Sequence, residues 1–319
     1  MAIAAFNRCT LFVYAAAALL AGCGVTPPPI GTLGAPTDSA GALSRSLETQ
    51  PLVYIADGDK VYIVPERPHN APTIGRITDG VSSAQGLWVD RHGSLYVANG
   101  SAGTITVYAR GALTPSITYT GLPGPKYVVV GHAGNVFVSN SDGTVTEFFP
   151  GVTTAYRTWK TPGTQADGVD LDAQGNLYVA YRDTNNGYGS IEKFNPRSPS
   201  ERGEVLGMPV NQPQGLVRTS SGAFLVVATG RPESVDVFFP GARQPNLILS
   251  VPDIPTELSI TSDERKLFVI GWFGVYVTPY RRLMQRSNVL PVSVFHTKIG
   301  LRKYPGGVAG MALSNGQSF

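Results

Sequence analysis

From residue 51 onward the apolar positions come in short runs, broken by turns rich in Gly, Asn and Asp, and not at the three-to-four spacing of a helix. The stretch SLYVANGSAGTITVYARG, residues 94–111, shows the unit: two strands around a glycine-containing turn. It recurs as VYIAD at Val53, LYVAN at Leu95, VFVSN at Val136, LYVAY at Leu177, FLVVA at Phe224 and LFVIG at Leu267. Marked by Tyr54, Tyr96, Phe137, Tyr178, Leu225 and Phe268, the copies lie 42, 41, 41, 47 and 43 residues apart. A sustained period of this length is the signature of propeller blades. Each run is followed by a third strand, such as KVYIVP at Lys60 or SVDVFFP at Ser234, apolar on both faces as a sheet sandwiched between neighbours requires.

Five of the six hairpins have a strand before them: QGLWVD at Gln85, KYVVVG at Lys126, DGVDLD at Asp167, QGLVRT at Gln214 and TELSIT at Thr256. The first hairpin has none, while the chain ends in AGMALS at Ala309, a preceding strand with no hairpin after it. Complementary half-repeats at the two ends predict an all-β, six-bladed propeller over residues 51–319, closed by a C-terminal strand that completes the first blade.

The PQGL run, the glycine turn, LYVA and the I-x-V-F pattern resemble bacterial NHL-type repeats and the related gluconolactonase-like propellers. The resemblance implies that the residues opening each innermost strand line the mouth of the central channel. Those residues are Gln85, Lys126, Asp167, Gln214 and Thr256, with Glu257 beside it. Lactonases of this kind hold a divalent metal there with several oxygen ligands. One secure carboxylate beside a lysine makes a poor metal site, so no metal and no cofactor is expected, and Asp167 can pair with Lys126 across adjacent blades.

The N-terminus reads MAIAAFNRCTLFVYAAAALLAGC, with one positive charge at Arg8 and an apolar run from Leu11 to Ala21. That run is too short for a spanning helix, which needs about 20 residues, and fits the apolar core of a signal peptide. LAGC at residues 20–23 resembles the bacterial lipobox, which implies a signal peptide over 1–22 and acylation of Cys23. The alternative is a secretory peptide cut elsewhere. Cys9 lies in the removed part, so the mature chain would carry no disulfide and no free thiol. Residues 24–50, rich in Gly, Pro, Ser and Thr, read as a flexible tether. The expected location is the bacterial cell envelope, at the outer membrane where two membranes exist.

Composition narrows the remaining chemistry. Charged residues are 15% and the net charge is +3, too little for a nucleic-acid partner. The charge is unevenly spread: residues 24–264 carry 16 basic and 22 acidic residues, whereas eight basic and no acidic residues follow Glu264. Arg281, Arg282, Arg286, Arg302 and Lys303 are therefore a candidate basic patch for an anionic envelope polymer, lipid headgroups or a protein partner. The histidines argue against general acid–base chemistry at the mouth: His92 and His132 fall in turns at the opposite ends of the innermost strands. No catalytic residue is assigned. The reading is a non-catalytic binding or scaffold module held by a lipid anchor; its alternative is a channel-mouth enzyme of the lactonase or lyase type acting on a small substrate.

Overall fold

Alternating strands and turns of this kind can bury both faces of every strand only by stacking sheet on sheet, and a ring does so without leaving a free face. The computed structural model describes residues 51–66, 72–198, 200, 202–251, 253–272, 274–280, 296–300 and 310–313, the last two segments as backbone strands. Within them lie six antiparallel sheets, five of four strands and one extended by a fifth short strand. These are the blades of a six-bladed β-propeller.

The innermost strands of blades 1 to 6 are Gly310–Leu313, Ala84–Val89, Pro125–Val130, Gln165–Leu171, Pro213–Arg218 and Pro255–Ile260. The C-terminal strand pairs antiparallel with the first hairpin, Val53 opposite Leu313 and Ala56 opposite Gly310. It also packs against the innermost strands of blades 2 and 6, so the strand Gly310–Leu313 and the first hairpin close one ring as the half-repeats predict.

The second strands are deeply buried. Leu52–Asp57, Leu95–Asn99, Val136–Asn140 and Phe224–Ala228 are buried at every position. Apolar clusters bridge successive blades. Val53, Ile55 and Val64 of blade 1 meet Phe268, Ile270 and Val275 of blade 6 across the closure. Leu216 and Phe224 of blade 5 pack with Tyr178 and Ile191 of blade 4. Where a second strand ends in Asn, a polar clamp replaces apolar contact: Asn99 Nδ2 donates to Thr106 Oγ1 at 2.9 Å and Asn140 Nδ2 to Thr146 Oγ1 at 3.1 Å. Both amides are fully buried, so these bonds meet a need that water cannot.

Strand polarity gives the ring two faces. Innermost strands begin on one, called here the mouth face, together with the connections between second and third strands. They end on the other, the turn face, which also carries the loops leading to the outermost strands.

Candidate functional site

At the start of the innermost strands of blades 2 to 6 the pairing slips by one residue. The residues at the slip are Gln85 with Gly86, Lys126, Asp167 with Gly168, Gln214 with Gly215, and Thr256. A β-bulge re-aims its side chain, so the five mouth residues expected from the sequence all occupy one structural position. The paired glycines have a physical cause. A Cβ on Gly168 would lie 2.4 Å from Gln214 O and from Leu216 N, and one on Gly86 2.8 Å from Lys126 O. A Cβ on Gly215 would come within 3.0 Å of Glu257 Cα. Neighbouring backbones touch at the bulge, and only a residue without a side chain fits between them.

Blade 3 departs from this rule, with Tyr127 where blades 2, 4 and 5 have glycine. Its hydroxyl donates to Thr256 O at 2.9 Å. Blades 3 and 6 are opposite each other in a ring of six, so Tyr127 bridges the central channel from wall to wall. Burial pushes the phenol well above its usual range, and Glu257 and Asp167 push the same way, against Arg182. Tyr127 therefore stays a neutral donor. The sequence signal was the replacement of glycine by tyrosine in Lys126-Tyr127.

Asp167 is 2% exposed. Gln165 Nε2 donates to its Oδ1 at 2.6 Å, and Arg182 Nε lies 3.2 Å from its Oδ2. The ion partner is thus Arg182, from the second strand of the same blade, with Lys126 contributing attraction at longer range. Burial raises the carboxyl above the usual range; Arg182, Gln165 and Lys126 pull it back. Glu257 is also buried beneath the mouth, while Gln85, Gln214 and Thr256 are half-buried. Gln165, Arg182 and Tyr127 are members of the cluster that the strand-opening rule missed. Together these groups form a polar plug with fixed donors and two buried carboxylates.

The turn face is built differently. Asp90 Oδ1 accepts the N–H of His92 and of Ser94, both at 2.8 Å, and Asp172 Oδ1 does the same for Gln174 and Asn176. The fourth turn position is left-handed in every one of these blades: Gly93, Gly134, Gly175, Gly222 and, in blade 6, Glu264 at φ 51°. His92 and His132 are exposed on this face and line a cleft of about 420 Å³ between blades 2 and 3, walled by Trp88, Tyr96 and Tyr119. A second cleft of about 300 Å³ lies between blades 3 and 4, with Phe149, Tyr156 and Arg197 at its edge.

Several expected features lie outside the described residues: Cys23 and the tether, and the basic positions Arg281, Arg282, Arg286, Arg302 and Lys303.

No protein-family model matches the chain, and no curated protein matches its sequence. Solved structures do match. A chain of the nidogen/laminin complex superposes with a TM-score of 0.66 at 16% identity, over 84% of this chain and 100% of that one. The fold is shared. A protein of unknown function from Bacteroides caccae gives 0.61 at 9% identity, over 83% and 99%. Hydrazine synthase of Kuenenia stuttgartiensis gives 0.56 at 14%, over 71% and 72%.

Proposed function

We propose that the chain is a bacterial lipoprotein of the NHL or gluconolactonase-like kind, tethered in the cell envelope through Cys23, whose propeller is a non-catalytic binding or scaffold module. The observation that carries the binding reading is the plugged mouth. Tyr127 spans the channel at 2.9 Å from Thr256 O, and Asp167 is already engaged by Gln165 and Arg182. Groups so held are preorganised to receive a ligand or partner and poorly placed to move a proton or release a metal-bound product. His92 and His132 stand at the far ends of the innermost strands. A chain of the nidogen/laminin complex shares the fold, and that protein is part of a two-protein assembly. The LAGC motif supports the tether. The basic residues after Glu264 are proposed to meet an anionic envelope polymer or lipid headgroups.

One observation favours the enzymatic alternative: Asp167, Glu257 and Tyr127 interact at one mouth and two have perturbed acidity, as catalytic clusters do. The test has two parts. Mass spectrometry of the mature chain is expected to find an acylated Cys23 at the N-terminus, lost with membrane partitioning in Cys23→Ser; an unmodified terminus elsewhere overturns the tether. Turnover of a lactone panel that Asp167→Asn abolishes would replace the binding reading with the enzymatic one.

A further inference from the structure

The two faces differ in charge and in the loops they expose. The mouth-face connections carry Asp59, Asp79, Asp142, Asp183, Glu233 and Asp253 against Lys60, Lys160 and Arg231. The turn face instead exposes Arg91, Arg197, Arg202 and Arg243, and also Arg265, which pairs with exposed Asp263 at 3.4 Å. The acids there are mostly consumed within the fold: Asp90 and Asp172 by turn amides, Glu147 by Arg157 at 3.1 Å, Glu66 by Lys266 at 2.8 Å.

The same face carries an apolar fringe. Leu113 is 38% exposed, Phe149 40%, Val152 48% and Tyr156 56%, all on the loops that precede the outermost strands of blades 2 and 3. The Phe149 and Tyr156 rings lie 4.2 Å apart between centroids, and the Arg157 guanidinium sits 5.6 Å from the Tyr156 ring. Aromatic and aliphatic side chains on loop tips, with exposed Arg91 and Arg197 on the clefts beside them, fit the interfacial zone of an anionic bilayer: rings enter the headgroup boundary while guanidinium groups meet phosphate.

The chain path points the same way. Pro51 O accepts the N–H of Glu66, which places residue 51 beside the end of the third strand of blade 1, on the turn face. Residue 51 therefore enters the first blade from that side. Resting on the tether proposed above, we infer that the turn face docks on an anionic membrane surface through Leu113, Phe149, Val152 and Tyr156. The acidic mouth face then points away from the lipid, toward a partner. Exposed Tyr188 and Trp272, on the mouth face, stand among acids that an anionic surface repels.

The test uses the full chain with Cys9→Ser and Cys23→Ser, so that no acyl group contributes and a single new cysteine can be labelled. Val152→Cys and Asp142→Cys carry an environment-sensitive dye on opposite faces. Mixed with vesicles of phosphatidylglycerol and phosphatidylcholine, the dye at residue 152 is expected to shift to the blue and the dye at 142 to stay unchanged. The shift should decline as salt rises. Phe149→Ser with Tyr156→Ser, both exposed, should keep the melting midpoint and weaken the residue-152 response by about tenfold. No shift at 152, an equal or larger shift at 142, or a response indifferent to the double substitution overturns the inference. A dye that responds only to an added envelope protein assigns the face to a protein partner and also overturns it. Because acylation is absent here and is read separately by mass, failure of the docking face and failure of the tether give different results.

Discussion

Mouth face and turn face are made from the same repeat, yet they are held by different physics. At the mouth, backbone meets backbone: the bulge glycines are fixed by atoms of the next blade within 3.0 Å. On the turn face the left-handed turn glycines have only side chains near them, at 3.0 Å or more, or nothing within 4 Å, and Glu264 shows that even glycine is dispensable there. The comparison teaches where such a ring can vary. Its mouth is set by packing between blades; its loops are free to carry surface chemistry such as the Phe149 and Tyr156 pair.

The sharpest way to break this contrast is to add one side chain on each face. Gly168→Val drives a branched side chain into Gln214 O and Leu216 N, neither of which can move without parting blades 4 and 5. A loss of more than about 3 kcal/mol is expected, read as a collapsed thermal or urea midpoint. Gly241→Ala, in a turn-face loop with nothing within 4 Å of the added carbon and φ at 81°, should cost only about 1 kcal/mol. Equal costs would remove the distinction.

Next in size is the held carboxylate. Arg182→Met leaves Asp167 buried with Gln165 and only the distant charge of Lys126, and stability should fall by about 3 kcal/mol, with part recovered in the double variant Arg182→Met, Asp167→Asn. Denaturant titration of the two proteins measures both numbers. No recovery in the double variant would mean that the charge of Asp167 is not what Arg182 balances.

On the same strand, three residues toward the turn face, Asp170 supplies a pH dependence. Burial pushes its carboxyl up to about 7, although the N–H groups of Arg218 and Leu171 donate to it at 2.6 and 2.8 Å. An acid whose folded-state pKa is raised holds more protons folded than unfolded. Its stabilisation is therefore complete below about pH 4 and is lost as pH rises through 7. The melting midpoint should fall across that interval, and Asp170→Asn should flatten the fall. Asp167, raised for the same reason, acts in the same direction. A midpoint that climbs from pH 4 to 7 would contradict the assignment.

The smallest effect expected is at the channel bridge. Tyr127→Phe removes one hydroxyl donor to Thr256 O and should cost about 1 kcal/mol while leaving the ring closed. A change in partner binding larger than the change in stability would place Tyr127 in the binding surface.

Much of this was legible in the chain. The half-repeat AGMALS announced the pairing of Gly310–Leu313 with the first hairpin, and the repeat period announced six blades, because hydrogen-bonded closure leaves a mark in sequence order. Gln85, Lys126, Asp167, Gln214 and Thr256 were legible as one tier, since each opens a strand of the same wording. What they touch was not. Arg182 lies in the next strand and reaches Asp167 through a register the turn length hides, and Tyr127 finds its acceptor 129 residues away across the channel. The division of charge between faces was equally hidden. Period-40 repeats spread each face over the whole chain, so a linear count shows an acidic stretch and a basic end, whereas the fold sorts acids to the mouth and arginines to the turns.

The direct test of the two-face account is hydrogen–deuterium exchange on the full chain, free in solution and attached to anionic membrane. Protection on attachment is expected at residues 109–116 and 149–156, with no change at residues 57–60 and 182–188. Protection of the mouth-face connections in place of the turn-face loops would contradict it.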